Sequence, residues 1–226
     1  MDPAQFAVAL HCILADSRLM RERQRWRAAF SPDLSFGRHF GPPLPTARPA
    51  AVMALIETVS PNWSEWNIPL TVRALHLPSH PGQISLPGGQ VECDESPQQA
   101  AEREFCEELG LPAFPGNVIG SLQPLYVYNS DFLVTPHVAL SSHLGDLVPC
   151  EQEVSRVVRL PLGVLLSSVQ ANDSNTRATF QRGAVAWTAR VIDVGEDRIW
   201  GATAIILGEL SAVIAQALNY SAEIPG

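Results

Sequence analysis

Residues 92–110 constrain this chain more than any other stretch. Glu92, Asp94, Glu95, Glu102, Glu104, Glu107 and Glu108 place seven of its 23 acidic side chains within 17 residues. Ser96, followed by Pro97 and by Gln99 three positions on, is a helix start with a capping box. Gly110 stands where a glycine ends a helix. The pattern predicts a helix over Ser96–Leu109. At about 100° per residue, Glu104, Glu107 and Glu108 share an arc of roughly 100°. Ala101, Phe105 and Leu109 form the neighbouring apolar stripe, which is expected to face the core. Three carboxylates at i, i+3 and i+4 repel one another and weaken a bare helix. Only Arg103, in reach of Glu107, offers local relief. A solvated acidic face would bear that repulsion uncompensated, whereas a bound cation offsets it. Oxygen-only ligands select hard divalent ions such as Mg²⁺ or Mn²⁺, and no His–Cys set points to zinc.

Composition excludes several other chemistries. With 226 residues and 46% apolar side chains, the chain is ordinary globular material. Its 15 basic and 23 acidic residues give a net charge of −8, the wrong sign for a nucleic-acid binder. All the basic residues are arginine. A P-loop lysine, a Schiff-base lysine and a Ser–Lys dyad are therefore excluded. Cys12, Cys93, Cys106 and Cys150 form no CxxC pair and read as reduced thiols. The apolar stretch Phe6–Ala15 follows Asp2 and precedes its positive charges, the reverse of a signal peptide. No apolar run is read as approaching the roughly 18–20 residues of a membrane span. The expectation is a cytoplasmic protein with a small-molecule substrate, no nucleic acid and no membrane. Its oligomeric state is not legible.

Along the chain, residues 1–30 read as helical, with Arg21, Arg23, Arg25 and Arg27 as a solvated face. Prolines and glycines mark residues 31–48 as a loop. Strands are expected at Pro49–Ile56, Ile68–Ala74, Val118–Tyr128, Phe132–Leu140 and Val154–Leu160, with a turn at Asn129–Asp131. A short helix is expected over Pro161–Ser167. A hairpin is expected from Ala178–Phe180 and Ala184–Val194 across Gln181–Gly183, before a terminal helix over Gly201–Leu218. This order suggests one α/β domain around a mixed sheet.

The acidic segment resembles a known family motif. Gly89, five residues, Glu95, seven residues, then Arg103-Glu104-Phe105-Cys106-Glu107-Glu108-Leu109-Gly110-Leu111 fill every position of the Nudix box, GX5EX7REUXEEXGU with U apolar. The resemblance implies an α/β/α sandwich with a mixed sheet. It also implies Mg²⁺- or Mn²⁺-dependent hydrolysis of a nucleoside diphosphate linked to another moiety. Glu104, Glu107, Glu108 and the Gly88 carbonyl carry over as metal ligands. Glu95 and Arg103 carry over as an ion pair within the box. Bound cations reverse the local sign, so that a polyanionic pyrophosphate is not repelled. Glu104 is one candidate for the base; Glu151 and Glu153, in a distant loop, are the others.

Upstream, Thr71-Val72-Arg73-Ala74 and His80-Pro81-Gly82-Gln83-Ile84-Ser85-Leu86-Pro87-Gly88-Gly89 are similar to the segment preceding the box in coenzyme A pyrophosphatases. Glu153-Val154 and Arg198–Ala204 also resemble that branch. Pro69 and Leu86 are mild departures. Pro78 stands where the branch usually has arginine, which bears on recognition of the 3′-phosphate of coenzyme A. Arg73, His76 and His80 are candidates to compensate. The expected substrate-binding residues are Arg73, His80, Gln83, Ser85 and Trp200, the last either stacking on an adenine or buried under the final helix. His76 and His80 have the i, i+4 spacing of a zinc pair, but Pro78 and Pro81 argue against a helix there.

The division expected is an N-terminal helical extension with a Pro-rich loop over 1–47, then a Nudix domain over 48–226. The expected activity is cleavage of coenzyme A or acyl-CoA to 3′,5′-ADP and a 4′-phosphopantetheine species. ADP-ribose, NADH or a dinucleotide polyphosphate is the alternative within the same chemistry. A nucleotide-sensing module without catalysis is the alternative outside it.

Overall fold

The computed structural model describes residues 2–33, 41–78, 80–170 and 176–223. Residues 34–40 of the expected Pro-rich loop lie outside the described residues. Strand β1 (Arg48–Glu57) runs through the centre of an eight-stranded mixed sheet. It pairs in parallel with β7 (Phe132–Ser141) along its whole length, from Arg48↔Phe132 to Glu57↔Ser141. On its other side it pairs antiparallel with β4 (Gly88–Gln90) at one end and β2 (Asn67–Arg73) at the other. Beyond β2 lie the short β3 (Ile84–Ser85) and β8 (Val154–Pro161). Strands β5 (Asn117–Ser121) and β6 (Leu125–Val127) both pair with β7.

The alternation of β1 sorts its side chains between two layers. Ala51, Met53 and Leu55 join Ala101, Phe105 and Leu109 of α3 (Pro97–Leu109), so the stripe read from the sequence does face the core. Ala54 and Ile56 face the opposite layer. That layer holds α1 (Pro3–Ala15), α2 (Met20–Phe30), α4 (Leu162–Gln170) and α5 (Gly201–Glu223). Phe6, Leu10 and Phe30 are fully buried there, so the N-terminal helices share a core with the sheet.

Several expectations need correction. The N-terminal helix breaks at Asp16, whose carboxylate accepts from the Arg18 backbone N–H at 2.8 Å. The strand expected over Val118–Tyr128 is two strands, because Pro124 removes a backbone donor between them. The last hairpin is two hairpins: β9 (Arg177–Arg182) with β10 (Val185–Arg190), and β11 (Ile192–Val194) with β12 (Asp197–Ile199).

The arginine cluster is not uniformly solvated. Arg23 is buried and pairs with buried Glu209 of α5 at 2.8 Å; Arg27 reaches the same carboxylate at 3.3 Å. Helix α5 corrects a further reading. Over Gly201–Tyr220 it has a mean hydropathy of 1.6, long and apolar enough to cross a membrane by length and composition. Its apolarity is that of a core helix: Ala204, Leu207, Leu210, Ile214 and Ala217 are fully buried.

Candidate active site

Helix α3 carries the acids, and its ends are fixed locally. The Ser96 hydroxyl accepts from the Gln99 N–H at 3.3 Å, and the Gln99 side chain accepts from the Ser96 N–H at 2.8 Å. Gly110 closes the helix in the left-handed conformation, with φ 69°. The loop before β8 is tied to the helix and to the sheet. The Cys150 N–H donates to the Glu108 carbonyl at 3.0 Å, and the Ala74 N–H donates to the Glu153 carbonyl at 2.9 Å. These bonds bring a loop more than forty residues downstream against the carboxylate face of α3.

The result is a cluster of Glu104, Glu108 and Glu153, each offering a carboxylate oxygen, all within 4.8 Å of one another. Glu108 is buried, Glu104 is half-buried and Glu153 is exposed. Burial, reinforced by the charges of Glu104 and Glu153, pushes the Glu108 carboxyl up to about 7, against the opposing pull of the Thr71 hydroxyl and the Gly88 N–H. Burial also raises Glu104, against the opposing pull of Arg103. Three converging oxygens, one of them on a carboxyl reluctant to ionise alone, fit a hard divalent cation.

Glu107 is not part of this cluster. Its side chain is 59% exposed and pairs with Arg103 at 3.0 Å. Arg103 does more than the sequence reading allowed. It donates to Glu95 at 2.8 Å, to Glu104 at 3.0 Å and to the Gln90 carbonyl at 3.3 Å. Its hydrogen bonds hold Glu95 below the usual carboxylate range, helped by the Glu92 N–H. One guanidinium thus joins the loop before α3, the strand β4 and Glu104 of the carboxylate cluster. Two glycines make room for this. A Cβ at Gly88 would overlap the β1 backbone at Ala51 and Val52, and one at Gly89 would land on the Glu104 carboxylate.

The expected substrate residues are spread along the loop between β2 and β3 and beyond it. Arg73 ends β2, and its backbone N–H and carbonyl bond to Gln83 and Gly82 across the loop. His80 Nδ1 lies 2.8 Å from Gln83 Oε1, and His80 holds φ at 57°. His76 Nε2 lies 3.1 Å from the Gln152 carbonyl oxygen, away from any helical pairing with His80. Ser85 is half-buried, with its hydroxyl 3.3 Å from that of Thr71. Trp200 is half-buried and stacks on Phe180 at 4.5 Å between centroids, with Trp187 on from Phe180 at 6.0 Å. Sequence reasoning missed Thr71 as a site residue. Its signals were its place in the upstream segment that resembles the coenzyme A pyrophosphatase branch and a hydroxyl inside an otherwise apolar strand.

Among family models, the NUDIX domain matches residues 50–180. The uncharacterized Nudix hydrolase NudL of Salmonella paratyphi B is 36% identical over 148 residues, covering 64% of this chain and 73% of that protein. NudL of Salmonella newport matches to the same extent. Among solved structures, a MutT/nudix family protein from Enterococcus faecalis aligns with a TM-score of 0.46 at 16% identity, covering 89% of this chain and 75% of that one.

Proposed function

This chain belongs to the Nudix family, and on that premise we propose that it hydrolyses the pyrophosphate bond of coenzyme A or an acyl-CoA, giving 3′,5′-ADP and a 4′-phosphopantetheine species. It is a Nudix pyrophosphohydrolase, acting on a pyrophosphate-containing small molecule. The observation that carries the catalytic reading is the convergence of Glu104, Glu108 and Glu153 within 4.8 Å.

Glu104, Glu108 and Glu153 would hold the divalent cation, Mg²⁺ or Mn²⁺. Glu107 and the Gly88 carbonyl belong to the ligand set that the family resemblance suggests, and Glu107 would have to leave Arg103 to join it. Bound there, the cation neutralises phosphoryl charge and lowers the pKa of a water. Arg103 orients Glu104 through a charge-assisted bond and, with Glu95, keeps the loop before α3 in place. Glu153 is the exposed member of the cluster, and the carboxylate oxygen it does not give to the cation would serve as the base for the attacking water.

The coenzyme A reading rests on the similarity of residues 71–89 to that branch, and on the loop that carries His80 and Gln83, whose first residues bond the loop holding Glu153 through the Ala74 N–H and His76. Pro78, in place of the branch's arginine, favours a second reading: ADP-ribose, NADH or a dinucleotide polyphosphate as substrate. Turnover of coenzyme A, dephospho-CoA, ADP-ribose and NADH, with products separated by chromatography, decides between them. Coenzyme A cleaved far faster than dephospho-CoA supports a 3′-phosphate pocket. ADP-ribose or NADH cleaved fastest refutes the coenzyme A assignment and leaves the hydrolysis intact.

A further inference from the structure

The deepest carboxylate of the cluster, Glu108, is bonded by a hydroxyl outside the Nudix box, and a second hydroxyl stands behind the first. Thr71 lies on β2, flanked by the apolar Leu70 and Val72, and is 1% exposed. Its Oγ1 is 2.9 Å from Glu108 Oε2 and 3.3 Å from Ser85 Oγ on β3. An ionised carboxylate only accepts, and a hydroxyl has one proton to give. Thr71 therefore donates to Glu108, and its oxygen is left to accept from Ser85. With Glu108 ionised, as a cation ligand is, the chain runs from Ser85 to Thr71 to Glu108. Strand β3 is anchored in turn from the other layer, where buried Thr203 donates to the Ile84 carbonyl at 3.1 Å.

We propose that Ser85 and Thr71 form a positioning relay that holds Glu108 in the one orientation from which it meets a divalent cation together with Glu104 and Glu153. This rests on the reading of Glu108 as a cation ligand. Ser85 then acts through Thr71 and does not bind substrate. Both hydroxyls are positioning groups, because neither touches the cluster's other members or the reacting atoms. The arrangement also explains why a threonine interrupts an apolar strand at this one place. A buried hydroxyl without a polar partner would cost stability at that position.

The test is Mn²⁺ binding to the full chain, read from the electron paramagnetic resonance of free Mn²⁺, with folding checked by circular dichroism. Removing a group that orients a metal ligand lowers affinity by roughly 10–100-fold. Thr71→Val keeps the shape and loses the hydroxyl, so it is expected to weaken Mn²⁺ by about tenfold or more. Thr71→Ser restores the donor and should bind within about threefold of the wild type, while Ser85→Ala falls between the two. Should Thr71→Val fail to fold, Thr71→Ser and Ser85→Ala carry the test. Wild-type affinity in Thr71→Val or Ser85→Ala, with Glu108→Gln defective, overturns the relay alone. Wild-type affinity in Glu108→Gln overturns the ligand reading and the relay with it.

Discussion

Glu108→Gln should change how the stability of the metal-free protein depends on pH. In the folded chain, burial pushes this carboxyl up to about 7, from an ordinary value of 4.5. A raised acid binds its proton more tightly folded than unfolded. Its stabilising contribution is thus fully present below about pH 4.5 and is lost as pH rises through 7. A shift of this size corresponds to about 3 kcal/mol at full deprotonation. For a domain of this size that is a fall in Tm of roughly 6–12 °C. The assay is thermal unfolding in chelator from pH 5 to pH 8, for wild type and Glu108→Gln. Groups away from the cluster contribute alike in both proteins, so the difference between the two curves reports Glu108 together with its coupling to Glu104 and Glu153. The difference should be small at pH 5 and grow to several degrees in favour of the variant at pH 8. Parallel curves would refute the reasoning, because they would mean that Glu108 ionises as easily folded as unfolded.

Other outcomes follow from the same geometry. Added Mg²⁺ or Mn²⁺ should raise the wild-type Tm more at pH 8 than at pH 5, because a ligand carboxylate must be deprotonated to bind; equal shifts at both pH values would contradict this. Glu209→Gln should destabilise the fold by about 3–5 kcal/mol in denaturant titration, since it strands the buried charge of Arg23. A loss under 1 kcal/mol would show that the N-terminal helices do not depend on that pair. Gly89→Ala places a methyl group on the Glu104 carboxylate and should cut metal-dependent turnover by roughly tenfold or more while leaving the far-ultraviolet spectrum intact. Unchanged turnover would mean that Glu104 is free to move aside.

Local signals explain what was legible. The capping box, Pro97 and Gly110 define α3 to within a residue because each acts on its own neighbours. The apolar runs at β1, β2, β7 and β8 emerge for the same reason. The break at Pro124 was missed because apolar residues continue on both sides of it. Arg23 reads as solvated in a run of alternating arginines, and only its partner 186 positions away shows it to be buried. Helix α5 hides its span because Thr203, Glu209, Ser211 and Gln216 interrupt the run while leaving its average apolar. At the site, the box supplies Glu104 and Glu108; Glu153 stands out from Glu151 only through the resemblance of Glu153-Val154 to the branch, and residue type alone does not show that it reaches the box. Its arrival beside Glu104 and Glu108 is tertiary, set in part by the bond from the Ala74 N–H to the Glu153 carbonyl. The upstream resemblance includes Thr71 but not its contact, because the bond to Glu108 joins residues 37 positions apart.

The most direct test of the account is hydrolysis of coenzyme A by wild type and Glu108→Gln in Mg²⁺, with products identified by mass spectrometry. The account predicts 3′,5′-ADP and 4′-phosphopantetheine from the wild type, and a loss of roughly a hundredfold or more in kcat for a correctly folded Glu108→Gln. Comparable turnover by that variant would contradict the assignment of the carboxylate cluster as the centre of the reaction.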